Sequence, residues 1–173
     1  VNRVVFLDID GPLSPDGVNG TPEDPIGYLS ARHVELFDAW LTAEGGPAVI
    51  LSSSWRNDPG FELTVRLLAE RGLTHPVVGA TPFWRVASGW GERGPEEAPR
   101  GHTIGAWLKN HPEVTHAVAL DDDPSHLMKP VSQIHVPVSP RTGLVLRNCR
   151  RASQVLARPM SAELRETIRC YPF

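Results

Sequence analysis

The chain has 173 residues, a formal net charge of −3, 40% hydrophobic residues and 21% charged residues. That length supports a core of its own, while the weakly negative charge argues against a strongly basic nucleic-acid surface and leaves only a local basic patch open. No apolar run approaches the roughly 20 residues of a membrane-spanning helix, and no charged segment followed by an apolar one stands at the N-terminus, so neither a membrane anchor nor a signal peptide is expected.

In chain order, residues 3–9 form a short apolar run, β-branched at its start, which predicts a buried strand. Residues 11–29 are rich in Gly, Pro, Asp and Asn and predict a loop. Ser30 is placed to cap a helix through residue 43, with Val34, Phe37 and Leu41 on one face and Gly45-Gly46 as its stop. Ala48–Leu51 predicts a second strand, running into Ser52-Ser53-Ser54-Trp55. Phe61–Arg71 reads as a helix stopped by Gly72, and Pro76–Gly79 as a third strand. Residues 81–100 are rich in Pro and Gly and are expected to be irregular. A helix over Thr103–Asn110, a strand over His116–Leu120, an edge strand over Ile134–Val138 and a helix over Ser161–Cys170 complete the chain. Cys149 and Cys170 make neither a disulfide framework nor a zinc spacing, so a reducing, cytoplasmic setting is expected.

Strands alternating with helices predict an α/β fold, a three-layer Rossmann-like parallel sheet with helices on both faces. No repeat or long linker interrupts it, so residues 1–173 are expected to form one domain. Sites in such sheets lie at the carboxyl ends of the strands. Three of the predicted strands end in polar clusters there: Asp8 with Asp10, Ser52 to Ser54, and Asp121 to Asp123.

Residues two apart on a strand point the same way. Asp8 and Asp10 therefore bring two carboxylates toward one point, where they repel unless one protonates or a cation joins them. A hard divalent ion such as Mg²⁺ resolves the conflict through oxygen ligands, with Asp122 on a later strand as a further donor. An aspartate beside such an ion can also act as a nucleophile toward phosphorus. An isolated D-x-D equally suits a loop or a helix cap. Here it follows a buried strand and is matched by polar clusters on two others, which favours a site.

These residues carry a resemblance. FLDIDGPL resembles the first motif, DxDG, of the haloacid-dehalogenase-like (HAD) phosphohydrolase superfamily. VILSSSWR is similar to its second motif, and VALDDD to its fourth. RGHTIGAWL at 100–108 sharpens the resemblance to the small HAD domains associated with Swiss Army knife RNA-repair proteins, over residues 3–125. The resemblance implies an HAD-like domain and a phosphoric monoester hydrolase. Asp8 would be the nucleophile and Asp10 the general acid and base, with its backbone carbonyl toward the metal. Ser52, and with it Ser53, would bind phosphate. Asp122, with Asp121 beside it, would bind Mg²⁺. For the basic third motif Arg100 at a helix start is the choice, and Lys109 near the far end of that helix the rival. Pro12 stands where the family often has Thr or Val, and proline removes a backbone donor.

The short gaps between motifs imply a minimal or absent cap and an open site. With the RNA-repair association, this points to a phosphorylated partner such as a nucleotide or an RNA or DNA end. Trp84 and Trp90, with Arg85 and Arg93, suit stacking on a base, or packing of their own loop. Trp55 suits a wall of the site or the core, and Arg56 a substrate contact or a pair with a carboxylate such as Asp58. Arg147, Arg150, Arg151 and Arg158 suit a phosphate-tracking patch or a solvated helical face. His102 and His126 read as surface histidines. Two other readings stand beside a nucleotide phosphatase: a small-metabolite phosphatase of the same superfamily, and a receiver-like module that accepts phosphate without turnover. Asp10 beside the nucleophile speaks for turnover.

Overall fold

The structure, a computed structural model, describes residues 2–86, 96–123 and 128–171. Strand β1 (Arg3–Leu7) is the centre of a five-stranded sheet and its last four residues are buried. It pairs in parallel with β2 (Ala48–Leu51) on one side. β3 (Val77–Ala80) lies beyond β2. A two-stranded antiparallel ribbon follows, β4 (Arg85–Val86) with β5 (Glu96–Glu97). On the other side of β1 lie β6 (His116–Asp121) and then β7 (His135–Pro137), both parallel to it. The order is β3-β2-β1-β6-β7. Near-continuous apolar strands such as VVFL and VIL are what a parallel sheet covered on both faces requires.

Alternation along the strands divides the core. Val5, Leu7, Val49, Leu51, Val118 and Leu120 face one side. They meet α1 (Ala31–Ala43), α2 (Phe61–Glu70) and α4 (Leu146–Leu156) there. Val4, Phe6, Ile50 and Ala119 face the other side. They meet α3 (Arg100–Lys109), a 3₁₀ segment at Lys129–Ile134, and α5 (Ala162–Cys170). The architecture is thus an α/β three-layer fold of the Rossmann type. Phe6 shows the packing: fully buried, it meets Trp107 edge to face at a centroid distance of 5.3 Å.

Some local details differ from the sequence expectation. Ser30 precedes α1, but its hydroxyl lies 2.7 Å from His33 Nδ1 and caps no backbone N–H. Ser161 does cap α5, accepting from Leu164 N at 3.0 Å. Helix α3 begins at Arg100, directly after Pro99, and not at Thr103. Residues 81–100 are not wholly irregular, since β4 and β5 pair within them. Helix α4 was visible in the sequence only as a basic cluster. Its apolar stripe is narrow, with Cys149, Ala152 and Leu156 buried beneath exposed arginines. Among the described residues, no helix is long and apolar enough to cross a membrane.

Truncating Phe6 leaves a cavity beneath α3 that the close-packed sheet cannot collapse. Phe6→Ala is expected to cost about 3–5 kcal/mol. A shift in the urea midpoint at constant slope measures it; a loss below about 1 kcal/mol would contradict the assigned packing.

Candidate active site

The hydrogen-bond ladder continues one step past the apolar strands. Ser52 N donates to Leu7 O at 2.8 Å and Asp8 N to Leu120 O at 3.0 Å. The pairings Leu7–Leu51 and Leu7–Leu120 therefore place Ser52, Asp8 and Asp121 at one level of the sheet edge. By the same alternation they point to the α3 side, opposite to Leu7. Thr81 continues the row, with its N donating to Leu51 O at 2.9 Å. The edge in question is the carboxyl edge, and β1 and β6 flank the point where the strand order reverses, where doubly wound sheets bind ligands.

Asp8, Asp121 and Asp122 each offer a carboxylate oxygen within 4.8 Å of the others. Asp8 and Asp121 are buried, at 3% and 0% exposure. Burial pushes the Asp8 carboxyl up to about 6; Arg100 and a hydrogen bond from Ser53 oppose this, and Asp10 and Asp122 add to it. Burial also raises Asp121 well above the usual carboxylate range, with Asp8 adding to the effect. Asp122 is raised by burial too. Asp121 Oδ1 accepts from Asp123 N at 2.9 Å, while its Oδ2 is buried and accepts no hydrogen bond among the described residues. Hard oxygen donors, crowded like charges and a buried oxygen without a hydrogen bond fit a divalent cation.

Arg100 stands at the first position of α3 and reaches into this cluster. Its guanidinium lies 3.5 Å from Asp121, 3.9 Å from Asp8 and 3.9 Å from Asp123. Burial works against its charge, but Asp8 and Asp121 more than offset that and hold it charged. Arg100 Nη1 also donates to Ser52 O. Lys109 is at the other end of α3, donating to Tyr171 O at 3.0 Å.

Arg56 is buried and donates to Ser52 O at 2.9 Å and to Ser53 O. Its carboxylate partner is Glu97, at 2.7 Å, and not Asp58. Glu97 lies 3.5 Å from Arg100 as well, so one carboxylate from β5 ties both arginines to the serine turn. Sequence reasoning missed Glu97, because a two-residue ribbon strand leaves no periodicity to read.

Asp10 is exposed and stands apart from the three-acid group. Its Oδ1 accepts a hydrogen bond from Trp55 Nε1 at 3.1 Å. Trp55 is buried, and Tyr28 meets it edge to face at 6.3 Å. Gly11, at φ +76, holds the turn between Asp10 and Pro12. A Cβ there would sit 2.6 Å from Asp122 Cγ, so the motif glycine is required twice over, by conformation and by space. Pro12 fits despite its missing donor, since its carbonyl accepts from Leu144 N at 2.9 Å.

Ser52 Oγ is buried with no hydrogen bond among the described residues, and Ser53 Oγ accepts from Trp55 N at 3.3 Å. Trp84 lies away from the cluster, lining a depression with Pro82, Ala106, Lys109 and Asn110. Arg85 is exposed on β4. Trp90, Arg93 and His126 lie outside the described residues. His102 faces the Tyr171 hydroxyl at 3.0 Å. Arg147, Arg150, Arg151 and Arg158 are exposed on or just after α4.

Compared with known proteins, residues 4–149 match a family model described as the HAD domain in Swiss Army Knife RNA repair proteins. No curated protein and no solved structure matches the chain.

Two outcomes test the site. Because its folded value is raised to about 6, protonated Asp8 stabilises the metal-free fold, and this contribution is lost as pH rises through that value. Mg²⁺ is expected to raise Tm more at pH about 7.5 than at pH about 5, where protons compete for the same oxygens. An equal rise at both would contradict the site. Gly11→Ala displaces Asp122 and is expected to weaken Mg²⁺ binding roughly tenfold or more, measured by calorimetric titration.

Proposed function

The chain belongs to the family of HAD domains in Swiss Army Knife RNA repair proteins, and from that premise we propose that it is a Mg²⁺-dependent phosphomonoesterase working through an aspartyl-phosphate. Its favoured substrate is a nucleotide or a nucleic-acid-end phosphate. The observation that carries this reading is the meeting of Asp8, Asp121 and Asp122 with Arg100 at the reversal of strand order. The setting we assign is the cytoplasm, where Cys149 and Cys170 stay as free thiols.

Asp8 attacks phosphorus with one carboxylate oxygen, and the bond from phosphorus to the leaving oxygen breaks. Arg100, beside Asp8, faces the equatorial phosphoryl oxygens and neutralises charge that spreads onto them. Ser52 Oγ, otherwise without a partner, donates to one of those oxygens. Mg²⁺ held among Asp8, Asp121 and Asp122 would supply further charge neutralisation and fix the phosphoryl group in line. Asp10, its Oδ1 held by Trp55, gives the proton of its other oxygen to the departing alkoxide. Water then attacks the aspartyl-phosphate while Asp10 takes its proton, releasing phosphate and restoring Asp8.

The test is phosphate release with Mg²⁺ from nucleoside monophosphates, phosphorylated oligonucleotides and sugar phosphates. Asp8→Asn is expected to lower kcat by roughly a thousandfold or more, and Asp10→Asn by about 10²–10⁴-fold. Sugar phosphates as the best substrates would move the assignment to a metabolite phosphatase. A single stoichiometric phosphorylation without turnover would identify a receiver-like module and end the hydrolase reading.

A further inference from the structure

A cavity of about 540 Å³ opens beside Asp10, within the roughly 300–1,000 Å³ range of small-ligand sites. Its aromatic walls are Trp55 and Tyr28, set at 90° to each other. Pro22, Pro25, Pro59 and Leu63 supply the rest of its apolar surface. Among the described residues, the only ionisable groups along it besides the Tyr28 phenol are two carboxylates, Asp10 and Asp58. Among the described residues no lysine or arginine lines it, although three arginines stand in or near the catalytic cluster and on β4.

We infer that this cavity receives the leaving group, and that the leaving group is a flat, uncharged ring system such as the base of a nucleoside. The assignment rests on the phosphatase reading, because it is Asp10 as the proton donor that makes the adjoining space the leaving-group side. The chemistry of the walls then narrows the substrate. Proline rings, the Trp55 indole and the Tyr28 phenol ring offer apolar contact to a planar ring. Asp58 offers an acceptor to exocyclic amino or ring N–H groups. The same two carboxylates repel a second phosphate, so sugar bisphosphates and the backbone of a long polynucleotide are poorly accommodated there. The reacting phosphate alone is anchored by cations, at Arg100. The specificity is therefore for one ring close to one phosphate, and chain length adds nothing to it.

The experiment compares kcat/KM with Mg²⁺ for ribose 5-phosphate, nucleoside monophosphates, fructose 1,6-bisphosphate and a phosphorylated trinucleotide, with calorimetric titration of unphosphorylated nucleosides alongside. The ring is expected to improve kcat/KM about tenfold or more over ribose 5-phosphate, the scale of one stacked base. The trinucleotide should match the mononucleotide, and the bisphosphate should be the poorest. Tyr28→Ala should lose the ring advantage chiefly through KM and weaken nucleoside binding in the titration, with unchanged circular dichroism. Ribose 5-phosphate turned over as well as nucleotides would overturn the cavity assignment and leave the phosphatase reading intact. So would a trinucleotide clearly preferred to its mononucleotide, or a ring advantage that survives Tyr28→Ala. Nucleosides that bind without any compound being hydrolysed would overturn the phosphatase reading and, with it, the assignment of this cavity to a leaving group.

Discussion

One guanidinium balances most of the buried negative charge at the sheet edge. Arg100 lies within 4.0 Å of Asp8, Asp121, Asp123 and Glu97, and its side chain is only 11% exposed. Carboxylates as deeply buried as Asp8 and Asp121 resist ionisation, and removing the cation they share would leave uncompensated charge in a low-dielectric setting. The arrangement is also anchored to the backbone. Arg100 donates to Ser52 O, and Glu97 connects it to Arg56, which holds the carbonyls of both serines. The serine turn, the ribbon strand β5 and the start of α3 are thus parts of one charged lattice, and disturbing any of them alters the field at Asp8.

The apolar sheet beneath explains why that lattice can be so tight. Strands β1, β2 and β6 are buried on both faces and in register, so their carboxyl ends stop at one level. A side chain one residue beyond the last leucine of each strand then falls on the α3 side without any loop having to aim it. The three-acid group rides on the sheet itself, while Asp10 and the proline-rich segment before α1 stand on the loop beyond it.

Much of this was legible in the sequence, and the reason is local. Apolar runs ending in DID, SSSW and DDD announce both a buried strand and a polar group at its end, and a parallel sheet collects those ends on one edge. The terminal serine of α5, the glycines after α1 and Arg100 at a helix start were equally readable from neighbours in the chain. What escaped was held by distant partners. Glu97 matters because it meets Arg56, 41 residues away. Trp55 could be read as core or wall, and it is both, since its ring is buried while its N–H reaches Asp10, 45 residues away. Ser30 looked like a cap, yet His33 competes for its hydroxyl. Helix α4 carries too few apolar residues to announce itself, and only its packing under the sheet reveals which face is inside.

The indole hydrogen bond to Asp10 leaves both proton transfers of the proposed reaction to a single oxygen. With Oδ1 committed to Trp55, one oxygen of Asp10 remains to serve both halves of the proposed reaction. In-line attack by Asp8 puts the departing alcohol on the side of phosphorus facing away from Asp8, and the incoming water displaces the aspartate oxygen from that same side. Each displacement inverts the phosphoryl group, and two inversions from opposite directions restore its original handedness. A phosphate made chiral with oxygen isotopes and transferred to an acceptor alcohol would keep its configuration in the proposed double displacement, while the indole decides only which oxygen of Asp10 moves the protons.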